Sequence, residues 1–424
     1  MEQVDVMVVG AGLAGLSAAS CLTEKDLVVK VLEASSRAGG KVLSSPSHQE
    51  NHFFELGGQF FNEDMTELSK LVVQSGMSVQ QTDFVSEAVE IDQVDKQPID
   101  TLLENLKNQL KLQAKGDDQR LTDVYDTYIK DDYHKKLLHS FHSELFTSNP
   151  NTLSSQAVAN AHIRYYSNKS DLTHQASGPL ENVINTLLHQ IGAQVHYQEV
   201  VEVVLEEDGH FTVKSNAQTY HAKAIILAIP PTVAKHIKLS NDMYTHYSAA
   251  INSYGDGAVI KITWSYEEPF WHHYDSGGQV RRLSGVIFTN PSGVSIIDST
   301  IVGEVYRLTM FIGADWAIRA SNFKKADRKT FTERLLVEIF GEVALQYKEV
   351  IESVWVNERF CGGGYSARVL FGGKGNAAEI LRKPYKGLAF ASSELALSFP
   401  HFMEGAIRSG KYAAEQIAKW IIKQ

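Results

Sequence analysis

A chain of 424 residues with a formal net charge of −10 is long enough for two packed units, and its acidity argues against a nucleic-acid partner, which asks for a clustered basic face. Two cysteines, Cys21 and Cys361, exclude a disulfide framework or a cysteine-rich zinc module. No run approaches the ~18 apolar residues of a membrane span, and no basic region or cleavage site precedes the first apolar run, so the expectation is a soluble, cytoplasmic protein with no membrane partner.

Val4–Val9 reads as a buried strand, short and β-branched. The turn Gly10-Ala11-Gly12-Leu13-Ala14-Gly15 follows, then small and apolar residues at helical spacing as far as Leu22, then a second strand over Leu27–Leu32. This is a βαβ unit with its glycines at the strand-to-helix turn. Gly10 permits the tight turn, Gly12 lets the backbone approach a pyrophosphate, and Gly15 lets the helix lie close to the strand. The helix N-terminus offers free N–H groups to phosphates. Glu33 ends the second strand, where a carboxylate binds ribose hydroxyls. Strand, turn, helix, strand and acid in this order point to a bound dinucleotide rather than to a βαβ unit without one.

Next come Arg37, able to supply phosphate charge, the pair Gly39-Gly40, Lys41, and the segment Glu55-Leu56-Gly57-Gly58-Gln59. Further glycine pairs let more backbone approach an extended cofactor, although on physical grounds alone they also suit plain loop turns. Residues 76–199 carry no motif. Leu103, Leu106 and Leu110 at helical spacing suggest that this stretch is partly helical.

Taken with these segments, the rest of the chain resembles the flavin-dependent monoamine oxidase family. The matching residues are Glu33-Ala34, Gly39-Gly40-Lys41, Glu55–Gln59, Ala224–Pro231 and Gly257-Ala258-Val259-Ile260-Lys261 with Glu268-Pro269-Phe270-Trp271. Trp355 and Phe360 leading into Gly362-Gly363-Gly364-Tyr365 match as well, as do Phe390–Glu394 and Phe402-Met403-Glu404-Gly405-Ala406. The resemblance implies an α/β fold in which a Rossmann-like FAD-binding domain (1–75, 200–245, 376–424) interleaves with an α+β substrate domain (76–199, 246–375). It implies FAD held by Gly10, Gly12, Leu13, Ala14, Gly15, Glu33, Ala34, Arg37, Gly39, Gly40, Lys41, Gly57, Gly58, Gln59, Val201, Trp355, Ser393, Glu394, Phe402 and Met403. The last helix would point at the flavin ring and favour negative charge there. Lys261 would hold a water at flavin N5 and promote reoxidation, and Tyr365 and Phe402 would form the walls that hold an amine. The implied reaction passes hydride from the amine α-carbon to flavin N5, and O2 then yields H2O2. Needing no strong base if the amine arrives unprotonated, it fits the lack of an evident catalytic His or carboxylate set.

Several positions depart from the family pattern. Lys41 replaces an arginine and loses its bidentate fork. Gly364 stands where covalent-flavin members carry cysteine, so the FAD is expected to be non-covalent, with Cys361 a buried small residue pointing elsewhere. Phe402 replaces a tyrosine, leaving one hydroxyl in the cage, and Ser392 replaces a glycine beside the final flavin strand. His272-His273, read as strand neighbours on opposite faces, lack metal-site spacing, so no metal is expected. Gln59-Phe60-Phe61-Asn62 lacks the arginine with which related amino-acid oxidases clamp a carboxylate, although Arg164 is a substitute, and Glu63 and Asp64 are candidates for the acids of a polyamine tunnel. Substrate and partners are therefore expected to be a small amine and O2, with a homodimer as a further expectation. The rivals are an L-amino-acid oxidase, a flavin desaturase of a biosynthetic intermediate, and a flavin-binding scaffold without catalysis.

Overall fold

Two sheets organise the chain in the computed structural model, which describes residues 3–48, 52–85, 88–91, 99–113, 116–192, 195–276 and 278–424. In the first, the strand Gln3–Val9 lies between Thr219–Leu227 and Val29–Leu32 and runs parallel to both. Its side chains alternate between two cores. Val6 and Val8 pack with Leu16, Ile184, Ile407 and Ile417, while Met7 and Val9 pack with Ile225, Leu227, Met243 and Tyr247. Burial on both faces explains why this strand is apolar throughout instead of alternating. The antiparallel strands Val201–Glu207, His210–Ser215 and Thr219–Leu227 extend the sheet, and Leu388–Phe390 returns from far along the chain to pair with Ile225–Leu227.

The helices Leu13–Thr23 and Met403–Ile422 cross backbone to backbone on this sheet, since a Cβ on Gly410 would lie 2.1 Å from the Ala14 carbonyl oxygen. The helix Glu181–Ile191 buries Val183, Ile184 and Leu187 in the same core, and Val195–His196 pairs with Val31–Leu32. The division expected between residues 199 and 200 therefore falls after a run that already packs on the first sheet.

The second sheet orders its strands Glu349–Val354, Val259–Tyr266, Tyr306–Gly313, Val294–Asp298, Gly285–Phe288 and Val89–Ile91, antiparallel except for the last pair. Ile260, Ile262, Trp264, Leu308, Met310 and Ile312 face a core shared with Leu335 and Leu336 of the helix Lys325–Phe340. The alternate residues, Val259, Lys261 and Phe311, face the first sheet's loops. The helical reading of the middle of the chain holds: Ile99–Gln113, Leu121–Tyr128, Asp132–Leu145 and Ser155–Arg164 pack around Leu106, Leu110, Val124, Leu138 and Phe146. Among the described residues no helix is long and apolar enough to cross a membrane.

Candidate active site

A cavity of about 1440 Å³ runs from the glycine turn of the first sheet to the helical layer and the second sheet. At its first end, each glycine of the turn meets a different constraint. A Cβ on Gly10, whose φ is +101°, would lie 2.5 Å from the Ala228 carbonyl oxygen, and one on Gly15 would lie 1.9 Å from that of Gly10. Gly12 is different: its nearest neighbour would be the Gly40 Cα at 3.8 Å, an ordinary contact, so no protein atom crowds it where it lines the cavity. The helix Leu13–Thr23 starts at Gly12 with no side-chain cap and no acid in its first turn, leaving N–H groups free for an anion. Glu33, buried, accepts hydrogen bonds from the Ala11 N–H (2.7 Å) and from the Ser35 N–H and hydroxyl (2.8 and 2.7 Å). The Ser392 hydroxyl is buried on this cavity without a hydrogen-bond partner. Free backbone donors, an uncrowded cavity wall at Gly12 and an orphaned polar atom fit an extended anionic dinucleotide.

All the residues expected to hold the cofactor line this cavity except Gly15, which serves helix packing instead. Arg37 also has a structural role. Its guanidinium donates to the carbonyls of Ala38, Gly40 and Val42, so besides lining the cavity it braces the Gly39-Gly40 loop. Lys41 likewise donates to the Tyr365 carbonyl at 3.0 Å, tying that loop to the aromatic wall. Glu394 accepts from the Ala367 N–H at 2.8 Å. Met403 opens the last helix, whose N-cap, Phe402, gives no side-chain cap, so this second helix N-terminus also meets the cavity bare.

Lys261 is 4% exposed and donates to the Gly57 carbonyl at 3.0 Å. Trp355 Nε1 and the Ser353 hydroxyl both donate to the Leu56 carbonyl, at 2.8 and 2.7 Å, pinning the Glu55–Gln59 segment against the second sheet. Burial lowers the Lys261 ammonium and raises the Glu55 carboxyl, and the two charges partly offset each other's shifts. In register across the second sheet, Ser353, Lys261, Phe311, Ser295 and Ile287 form one row. All but Ser353 line the cavity.

Tyr365 and Phe402 both line the far end, and Phe402 lies against Tyr165 with ring centroids 5.3 Å apart. The sequence reading missed the residue that holds Tyr365. Its hydroxyl donates to Glu144 Oε1 at 2.9 Å, and burial pushes the Glu144 carboxyl up to about 7. Asp171, raised by burial as well, lines the same end. A carboxylate set at the cavity is thus present after all. It comes from a helix and a loop in the stretch without motifs, and no spacing signal announces it.

Other expected residues lie elsewhere. Glu63 and Asp64 pair with Lys169 and do not line the cavity. Arg164 donates to the carbonyls of Ala396 and Asn160, outside this cavity. Cys361 is buried as expected, yet it packs with Val259 and Trp355 and lines the cavity instead of pointing away. His272 and His273 lie in a 3₁₀ helix, Phe270–His273, not on a strand. His272 comes within 3.0 Å of Asp298 and 3.7 Å of Asp83, but the Arg282 guanidinium faces both carboxylates (3.1 and 3.5 Å) and supplies the cation there.

A family model described as flavin containing amine oxidoreductase matches residues 13–418. The chain is 24% identical to the flavin-containing amine oxidase A of Canis lupus familiaris over 97% of this chain and 84% of that protein. It is 26% identical to the putrescine oxidase of Kocuria rosea over 97% and 95%. Cyclohexylamine oxidase from Brevibacterium oxydans shares the fold with a TM-score of 0.87 at 21% identity, covering 100% of both chains. Given a family match that runs from the glycine turn to the last helix, the chain belongs to the flavin-containing amine oxidoreductases and is an FAD-dependent enzyme that oxidises amines.

Proposed function

We propose that the protein oxidises the carbon–nitrogen bond of a small amine without a carboxylate, giving an aldehyde or ketone, ammonia or a smaller amine, and H2O2. FAD, when bound, supplies the acceptor for the hydride equivalent leaving the amine α-carbon, and O2 then takes those electrons. One observation carries the reading: Lys261, Tyr365 and Phe402, from three separate segments, line the same cavity as the glycine turn. Tyr365 and Phe402 offer flat walls that orient the amine and exclude water from it. Lys261 would hold a water at flavin N5, a reading supported by its burial at the cavity and its hydrogen bond to the Gly57 carbonyl.

Charge at the far end favours an amine over an amino acid. Glu144 and Asp171 would repel a substrate carboxylate. Arg368, a cation buried at the cavity, stacks on Phe146 at 4.6 Å and has Glu394 as its anionic neighbour. Non-covalent attachment has support at Gly364, where a Cβ would lie 2.4 Å from the Thr147 hydroxyl and 2.8 Å from the Gly257 Cα, so a cysteine does not fit. Burial pushes the Cys361 thiol up, which keeps it protonated and a poor nucleophile.

A peroxide assay over monoamines, diamines and L-amino acids tests the reading. Peroxide with amines alone is expected; peroxide with amino acids alone would replace it with the amino-acid oxidase reading. Acid precipitation should leave the yellow flavin in the supernatant, and flavin retained in the pellet would overturn non-covalent binding.

A further inference from the structure

Two carboxylates face the substrate end of the cavity without a cation. Glu144 accepts a hydrogen bond from the Tyr365 hydroxyl (2.9 Å), and the Ser295 hydroxyl faces it without closing a hydrogen bond of its own. Asp171 lies near enough to act electrostatically on Glu144, Tyr365 and Tyr165. Among the described residues no side-chain cation pairs with either acid, and Lys169, in the same loop as Asp171, is spent on Glu63 and Asp64. Carboxylates held out of bulk water are costly unless a cation meets them. The strand row fixes where that cation would sit. Ser295 stands two strands from Lys261, roughly 10 Å at the usual strand spacing, with Phe311 between them.

We propose that Glu144 receives the substrate's ammonium group at the Tyr365 wall and takes its surplus proton, so that the site selects amines that arrive as cations. The proposal rests on the amine-oxidising reading. In this step one N–H bond of the ammonium breaks and an O–H bond forms on Glu144. The lone pair stays on nitrogen, which becomes the neutral amine that oxidation requires. The three N–H donors of a primary ammonium match the acceptors available: the Glu144 carboxylate, the Ser295 hydroxyl and the Asp171 carboxylate. Tyr365, which donates to Glu144, uses one carboxylate oxygen and leaves the other for substrate.

The groups facing Glu144 are Tyr365 and Asp171, besides the neutral Ser295. Burial raises Glu144 to about 7, Asp171 pushes it further up, and the Tyr365 hydroxyl draws it down. Its carboxylate form therefore grows in as pH rises through about 7. An alkylammonium keeps its proton up to about 10, as a lysine does. The apparent second-order rate constant for flavin reduction should rise with pH through the first value and stop rising before the second.

Two measurements on the oxidised holoenzyme decide the matter. In anaerobic stopped flow with benzylamine, the wild-type limb near neutral pH should vanish in Glu144→Gln, and the reduction constant should fall by about 10- to 100-fold, mostly through weaker binding. Asp171→Asn, which removes a like charge, should move the limb to lower pH without abolishing it. In equilibrium titrations read by the flavin spectrum, benzyltrimethylammonium should bind wild type more tightly than its neutral isostere neopentylbenzene, and Glu144→Gln should cut that preference several-fold, with Asp171 supplying what remains. A limb that persists in Glu144→Gln, or a cation preference that the substitution leaves intact, overturns the proposal. If benzylamine and every other amine fail to reduce the flavin, the amine-oxidising reading falls instead, and the titration still reports on Glu144 by itself.

Discussion

The two ends of the cavity are built from different materials. The glycine end is mostly backbone: the starts of the helices Leu13–Thr23 and Met403–Ile422, with no side-chain cap, and Gly10 and Gly15 made obligatory by carbonyl oxygens 2.5 and 1.9 Å from where a Cβ would sit. The far end is side chain, with Tyr365, Phe402, Glu144 and Asp171 converging from four separate stretches. A backbone site demands particular residues at fixed spacing along one segment. A side-chain site demands only that tertiary packing bring suitable groups together, so its residues can come from anywhere in the chain.

The comparison breaks first at the glycines. Gly15→Ala places a methyl 1.9 Å from the Gly10 carbonyl oxygen and is expected to cost about 3 kcal/mol or more by forcing the helix off the strand. Both the melting temperature of the apoprotein and the flavin content should drop. Gly12→Ala gives its methyl only ordinary contacts within the protein, so the apoprotein should melt close to wild type while flavin content falls. Full flavin occupancy in Gly12→Ala would show that the cofactor does not lie against this stretch of the cavity wall.

At the far end, pH is the sharper probe. Glu144 sits at about 7 in the fold against 4.5 ordinarily, so the native state holds a proton that the unfolded chain gives up between those values. The associated stability is present below 4.5 and lost as pH rises through about 7. The loss is on the order of 3 kcal/mol at most. Urea unfolding of the apoprotein at pH 5 and pH 8 should show a smaller difference in Glu144→Gln than in wild type, the remainder coming from Glu55 and Asp171, whose carboxyls burial also raises.

Smaller effects are expected where the two ends meet. Lys261→Met should slow the oxidative half-reaction about tenfold or more and the reductive one by less than about twofold, since the ammonium is anchored on Gly57 and does not border Glu144. Equal slowing of both halves in stopped flow would remove Lys261 from its assigned role. Phe402→Tyr adds one hydroxyl to a half-buried ring that already packs on Tyr165, so kcat/KM should change by no more than a few fold, below ~1 kcal/mol.

What the sequence made legible follows the same division. The βαβ unit, Glu33 and the glycine pairs were readable because each residue type answers a local constraint. Lys261 and Tyr365 were readable only through family resemblance. Glu144 and Asp171 were not readable at all: one lies on an otherwise ordinary amphipathic helix and the other in a polar loop, and only the fold brings them beside Tyr365. Arg37 shows a role that spacing did not reveal: besides lining the cavity, it braces the Gly39-Gly40 loop through three backbone carbonyls. Exposed-looking acids such as Glu63 and Asp64 misled, since Lys169 satisfies them away from the cavity.

The most direct test of the whole account is anaerobic addition of substrates to the purified yellow protein, followed by its absorption spectrum. Benzylamine or an aliphatic amine should bleach the flavin, and L-amino acids should not. Bleaching by amino acids alone would contradict an acidic, amine-selecting far end, and bleaching by neither would contradict amine oxidation itself.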